Sequence, residues 1–373
     1  MNKIEELKLQ RVAFSADEDV IRRGIIEKAT EVGCHSAYQL DNGKGIVGKF
    51  SISNYGEVNK DVKDALLKFA CEKSGIKTPE TKADVMEAFD NSVFNSVFNS
   101  IQKDVILGII ARVQSPQIMA MANIETVDLG DSYTWEIDSK GLPVAQRASY
   151  MSNVTIDQTS GMKSITVTPK VYSLGVTMDF TRILANDYDF GKQIAKVALG
   201  MLYAQHKLIV GLVFDTTKTP LYQATFDQLK YVTMADDIKA LNGGAEVTAY
   251  ATKVALSKLG ASISTNGFLL KDEFIKEGYI GSPYGVPTVM IDQATDFSAP
   301  LVGGEIASRL VPNDKMVMLS GVGDKPVKLV RENYIRIIQQ DNISGATNKL
   351  RYSYFMAFDA GLATQQHFGI QAV

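Results

Sequence analysis

The sequence predicts an α+β protein, and three observations carry that reading. A long apolar helical pattern runs from Ile194 to Val213. A block between residues 121 and 180 alternates polar and apolar residues, and the stretch from Met316 to Val373 is dominated by β-forming residues. Helices and strands segregated along the chain in this way read as α+β.

The chain has 373 residues and 45% hydrophobic content. That is enough to bury one large core, or two moderate cores with an extended arm, and two domains are the default expectation. Lys and Arg total 39 against 42 Asp and Glu, a formal charge of -3. No global basic field exists to hold nucleic acid by counterion release, so any contact with DNA is expected to be weak and local. Cys34 and Cys71 are the only cysteines. Neither falls in a CxxC or Cys-plus-His spacing, so no metal site is expected, and a reduced, cytosolic chain is implied. The start, Met1-Asn2-Lys3-Ile4-Glu5-Glu6, is charged, and the most apolar stretch, Ile194 to Phe214, is interrupted by Lys196, Gln205, His206 and Lys207. Neither an export signal nor a membrane span is expected.

Taken in order, Ser15-Ala16-Asp17-Glu18 has capping-box form, and Val20, Ile21, Ile25, Ala29 and Val32 follow at helical spacing. The spacing predicts a helix near 16–32, ending before Gly33. Tyr38-Gln39-Leu40-Asp41-Asn42-Gly43-Lys44 places Asn-Gly between alternating residues, which predicts a tight hairpin. A second helix is expected near 57–74, stopped by Gly75.

From Thr78-Pro79 another helical pattern carries Met86, Phe89, Val93, Phe94, Val97, Phe98, Ile101, Val105 and Ile109. It contains the four-residue repeat Asn91-Ser92-Val93-Phe94-Asn95-Ser96-Val97-Phe98-Asn99-Ser100. Asn and Ser are poor helix formers, so this helix depends on something packing over its Val/Phe stripe. Either a neighbouring surface or the chain's own domain meets that need. Tyr133 to Ile137, Val154 to Ile156 and Ser164 to Thr168 read as strands punctuated by Gly130, Gly141-Leu142-Pro143 and Ser160-Gly161, in a polar excursion that reads as a protruding hairpin or loop.

The strongest helix opens after Asp187 or Asp189 and would span roughly 37 Å. Beyond Asp215, Thr233-Met234-Ala235-Asp236 is expected to cap a helix to Leu241, Tyr250 to Leu259 to form another, and Val286 to Ile291 a strand. Met316–Leu319, Val327–Val330, Tyr334–Ile338 and Leu350–Ala357 read as the closing strands.

An amphipathic arm, a long β excursion, one spine helix, a mixed α/β domain and a strand-rich return, in that order, resemble the tailed-phage major capsid fold named for phage Hong Kong 97. Thr168-Pro169-Lys170-Val171-Tyr172-Ser173-Leu174-Gly175-Val176-Thr177-Met178-Asp179-Phe180-Thr181-Arg182-Ile183-Leu184, followed by Asp187-Tyr188-Asp189, looks like the entry to that family's spine helix, which here ends near Asp215. Gly278-Tyr279-Ile280-Gly281-Ser282-Pro283-Tyr284-Gly285-Val286-Pro287-Thr288-Val289 resembles its "Gly, short spacer, Gly-x-Pro-Val" strand entry. The resemblance covers roughly residues 85 to 373. It implies an arm helix over 81–120, an extended loop over 121–180, a peripheral domain over 181–216 and 326–373, and an axial domain over 217–325. Residues 1–80 depart from the minimal pattern and are either an ordered accessory domain or a scaffold-like segment.

No convergent catalytic group emerges. His35, His206 and His367 read as structural, His206 being solvated or at an interface. Gly43-Lys44-Gly45 and Gly321-Val322-Gly323-Asp324-Lys325 lack the pattern of a phosphate-binding loop. Asp236 and Asp237 are explained by the first turn of a helix. The resemblance instead implies a coat protein that acts through interfaces with copies of itself in hexamers and pentamers. Scaffold, portal and decoration proteins and non-specifically held DNA are further partners, with no cofactor and no membrane. Its place would be the virion, after assembly in the host cytoplasm. Phe94, Phe98 and Trp135 are the candidate apolar anchors, the alternative being burial within their own subunit. Lys140 and Lys163, on the loop, invite comparison with relatives that cross-link loop lysines, a solvated lysine being the simpler expectation. An encapsulin-type nanocompartment shell and an enzyme with a pocket in 217–325 are the competing readings.

Overall fold

The computed structural model describes residues 16–41, 50–137, 163–179, 189–219, 221–264, 281–293, 309–321, 325–341, 349–362 and 367–373. The chain divides into two compact units, one comprising Met1–Ser115, Val171–Ala204 and Asn333–Ala357, the other Pro116–Lys170, Gln205–Glu332 and Phe358–Val373.

The first unit opens with helices α1 (Ala16–Asp41) and α2 (Tyr55–Ser74). Helix α1 runs straight through Tyr38-Gln39-Leu40-Asp41, which corrects the hairpin expected there. Ala29, Val32, Cys34 and Ala37 are all buried, so tertiary burial extends the helix past the point where local turn chemistry would end it; Asn42 to Gly45 lie outside the described residues. Helix α2 stops where expected, with Gly75 in the left-handed region at φ 68° and its N–H donating to the Glu72 carbonyl.

The expected single arm helix is two, α3 (Lys82–Asp90) and α4 (Ser92–Arg112). Asn91 is extended at φ −77°, ψ 121°, and its Oδ1 accepts from the N–H groups of Val93 and Phe94, capping α4. The first Asn of the repeat therefore starts a helix rather than sitting within one. Thr81 and Asp84 close the start of α3 with a reciprocal capping box.

Helix α4 packs against both α1 and α2. Ser100, Asp104 and Gly108, spaced four apart, form one seam. Arg22 of α1 donates to Ser100 Oγ at 3.1 Å and also bonds Asp104, while Gly108 lies under Thr30 and Gly33 under Ile109. A methyl group at Gly33 would overlap the Ile109 side chain, so this glycine is required by the closeness of the two helices. Another side of α4 meets sheet residues: the Tyr354 hydroxyl donates to Gln102 Oε1 at 3.3 Å, and the Lys103 ammonium stands 4.4 Å above the Tyr334 ring. Most of each of the strands β9 (Val327–Asp341), β10 (Lys349–Leu362) and β4 (Lys170–Asp179) falls in this unit, and the three neighbour one another in that order. The expected strands 327–330 and 334–338 are thus one continuous strand, β9. Helix α6 (Phe190–Val213) passes Leu174 of β4 closely at Gly200.

The second unit contains a short helix α5 (Pro116–Met119), strand β1 (Ala122–Val127) and the antiparallel hairpin β2 (Tyr133–Ile137) and β3 (Lys163–Val167). Strand β1 pairs in parallel with residues 327–332 of β9. The main sheet has order β5-β11-β8-β6-β7, from β5 (Leu221–Gln223), β6 (Val247–Thr252), β7 (Thr288–Ile291), β8 (Lys315–Ser320) and β11 (Gly369–Ala372). Its core joins Tyr231, Met234 and Ile238 of α7 (Gln228–Leu241), Leu256 and Leu259 of α8 (Lys253–Ser264), and the strand residues Ala249, Ala251, Met316 and Met318.

Two expectations are corrected here. The helix expected to be capped at Thr233 begins earlier, at Gln228, because the cap of α7 is Asp227, whose Oδ1 accepts from the Lys230 N–H at 3.0 Å. Asp236 and Asp237 consequently stand exposed in its C-terminal half, not in its first turn. Tyr250 to Thr252 is strand, not helix. Pairing with β7 on one side and β8 on the other captures it, and the helix begins only at Lys253.

Candidate assembly surfaces

The aromatic anchors expected from sequence separate into two groups. Phe94 and Phe98 are buried within the first unit, stacked on each other at 5.8 Å, with Phe89 edge-on to both. Their packing supplies what the Asn/Ser-rich helix lacks in intrinsic propensity. Trp135, in contrast, lies half-buried on β2, opposite Ile165 of β3.

Tyr133 shares the face of Trp135, two residues away, with ring centroids 4.7 Å apart. Thr134 and Thr166 bond across the other face at 2.8 Å. Ile165 and Val167 meet the bare backbone of Gly361 on β10, where a methyl group would come within 3.2 Å of both side chains. The hairpin base is therefore seated on β10, and Lys170 adds an ion pair to Asp359 at 2.8 Å. Leu129, just before β2 in the chain, is exposed. Lys163 pairs with Ile137 at the end of the hairpin ladder, and Lys140 lies outside the described residues.

A second constellation, which the sequence reading missed, stands at the start of α6. Asp189 Oδ1 accepts from the Lys192 N–H at 2.8 Å, from the Tyr55 hydroxyl at 2.6 Å and from Asn59 Nδ2 at 3.1 Å. Asn59 Oδ1 in turn accepts from the Gly191 N–H at 3.1 Å. Because the Tyr55 proton goes to Asp189, the Ser36 hydroxyl 2.6 Å away donates to Tyr55. Burial and the bond to Asp189 push the Tyr55 phenol up, so it stays protonated and remains the donor. His35 stacks on Tyr55 at 4.6 Å and accepts the Ile52 N–H at its Nδ1. The whole array satisfies the first N–H groups of α6, the role of a cap rather than of a catalytic centre.

His206 is 1% exposed, which corrects the solvated or interface position expected for it. Neither ring nitrogen has a partner among the described residues, and burial depresses its pKa to about 4. Among the described residues no group of three or more His, Cys, Asp or Glu could hold a metal ion. No helix among them is long and apolar enough to cross a membrane.

A model of the family described as "SPbeta prophage-derived putative capsid protein YonB" matches residues 34–371. The chain belongs to this phage capsid family. Among solved structures, the capsid-family chain is similar to the capsid of cyanophage P-SCSP1u (11% identity, 68% of this chain and 86% of that chain, TM-score 0.43). It is also similar to the virus-like particle from Pyrococcus furiosus (8% identity, 71% and 95%, TM-score 0.43) and to Microbacterium phage Oxtober96 (10% identity, 68% and 90%, TM-score 0.44). No curated protein matches. The family match begins at Cys34, inside α1, and so takes in both the capping array around Asp189 and the hairpin bearing Trp135.

Proposed function

We propose that this chain is the major coat subunit of a tailed-phage icosahedral head, with a Hong Kong 97-type fold, assembling with copies of itself into pentamers and hexamers that enclose double-stranded DNA. The observation that carries the reading is the match of a capsid family across 34–371. The order of arm helices, β hairpin, long α6, five-stranded α/β unit and strand-rich return supports it. In this reading 81–120 is the arm, 121–180 the extended loop, 181–216 with 326–373 the peripheral domain, and 217–325 the axial domain.

Function then lies in heterologous contacts that close into rings, each modest but several per subunit. Trp135, paired with Tyr133 on the hairpin, is the favoured apolar anchor, because Phe94 and Phe98 are already used inside the subunit. Lys140 and Lys163 belong to the same loop and contact neighbours as solvated cations. The charge balance of -3 leaves DNA held without a strong protein field, and scaffold, portal and decoration proteins are the other partners, in a virion assembled in the host cytoplasm.

Negative-stain electron microscopy of the purified protein, alone and with the products of adjacent genes, tests this directly. Closed shells, rings of five or six, or tubes are expected, and particle diameter separates a phage head from a small nanocompartment. Trp135→Ala should leave the monomer's thermal transition within about 1 kcal/mol of wild type while reducing particle yield. A persistent monomer that binds a metabolite would overturn the coat reading in favour of an enzyme with its pocket in 217–325.

A further inference from the structure

We infer, on the coat-protein reading for the shell and on the fold alone for the subunit, that helices α1 and α2 are a permanent part of the molecule. They travel into the finished shell with it and are not a segment released during assembly. Two independent attachments carry this, and a further contact holds the pair of helices together.

The first is the seam between α1 and α4. Gly33 and Gly108 let the two helices approach until side chain meets backbone, and Arg22 spans the same seam to Ser100 and Asp104. Interfaces between separable domains are comparatively loose and polar, whereas here the helices are close-packed at Gly33 and Gly108, and Val32, Ala37, Leu66 and Ala70 of α1 and α2 are fully buried. Helix α4 needs that cover, since its Asn- and Ser-rich first half has weak helix propensity of its own.

The second attachment is the cap of α6. Tyr55 and Asn59 of α2 reach Asp189 across more than a hundred residues of sequence, and Asn59 also takes the Gly191 N–H. A methyl group at Gly191 would overlap Val32 of α1 and crowd Ser36 and Tyr55. The N-terminal helices therefore complete the start of the longest apolar helix among the described residues. Their removal would strip Asp189 of two of its donors and expose the first turn.

A further contact holds the pair together: Lys73, in the last turn of α2, forms an ion pair with Glu18, near the start of α1. The two helices thus behave as one piece docked on α4 and α6.

The test uses the full chain with a site-specific protease sequence inserted between Lys77 and Thr78, both exposed in the segment after α2. After complete cutting, the 1–77 fragment should co-elute with the remainder in size-exclusion chromatography and separate only in denaturant. Precipitation of the remainder on cutting would equally support permanence. A free 1–77 fragment beside a monodisperse remainder with an unchanged thermal transition would overturn it. Where particles form, intact-mass measurement of their subunits should find residues 16–74 still attached, and subunits beginning beyond residue 75 would overturn the inference. If no particle forms, the coat reading fails by itself, and the cutting experiment still decides the fate of the helices within the subunit.

Discussion

Acid should destabilise this protein in part through His206. Its imidazole is 1% exposed, has no hydrogen-bond partner among the described residues, and is held by burial at a pKa of about 4 against the ordinary 6.5. The folded state thus keeps it neutral while the unfolded chain takes up a proton as pH falls below 6.5. No cost exists above that pH; it grows between 6.5 and 4 and is fully expressed below 4. Linkage over that shift gives a loss of about 2.5 kcal/mol between pH 7.5 and 4.5 from this group alone. Carboxylates titrate over the same range, so the informative quantity is a difference. Urea denaturation of wild type and His206→Leu at both pH values should show the variant losing about 2.5 kcal/mol less on acidification. If the two proteins lose stability in parallel, the imidazole is solvated or paired, and the reasoning is wrong.

Asp189→Ala should cost about 2–4 kcal/mol, since it removes a helix cap and leaves the Tyr55 hydroxyl without its acceptor, whereas Asp189→Asn, which keeps an acceptor oxygen, should lose less; denaturant midpoints at pH 7 rank the three proteins. Phe94→Ala empties a fully buried site between Phe89 and Phe98 and should cost about 3–5 kcal/mol in the same assay. Glycine replacements should divide by space: Gly211→Ala, with nothing near its Cβ position, should raise the thermal midpoint by the equivalent of about 0.5–1 kcal/mol, while Gly33→Val, forced into Ile109, should lower it by about 1–3 kcal/mol.

Elements whose pattern lies in their own residues were legible in the sequence. Helix α6 and the Gly75 stop of α2 lie where spacing and cap chemistry place them, because each signal sits within a few residues of its effect. Legibility failed where a distant partner outweighed a local preference. Tyr38 to Asp41 precedes a strong turn dipeptide, yet burial of the α1 face keeps it helical. Tyr250 to Thr252 has a plausible helical spacing, yet two neighbouring strands claim it. Asp189 was legible as a candidate start of α6, but its partners Tyr55 and Asn59 were not, since they are brought there only by tertiary folding. The same limit applies to the aromatics: the Val/Phe stripe announced that α4 needs a cover but not whose, and the structure supplies it from within the chain.

The five-stranded sheet ends on β5, three residues long, and on β7, four residues long. A long, flat terminal strand invites another backbone to join it, and such joining has no natural stopping point, because each added strand presents a fresh edge. On the coat-protein reading the molecule crowds beside its own copies and is exposed to that hazard more than most. With so little ladder on either side, this sheet offers a second copy little backbone to pair with, and on the coat-protein reading contacts at it fall to side chains, whose shapes fix an angle and therefore a number. A closed particle needs a count that ends, and short edges are one way to keep polymerisation finite.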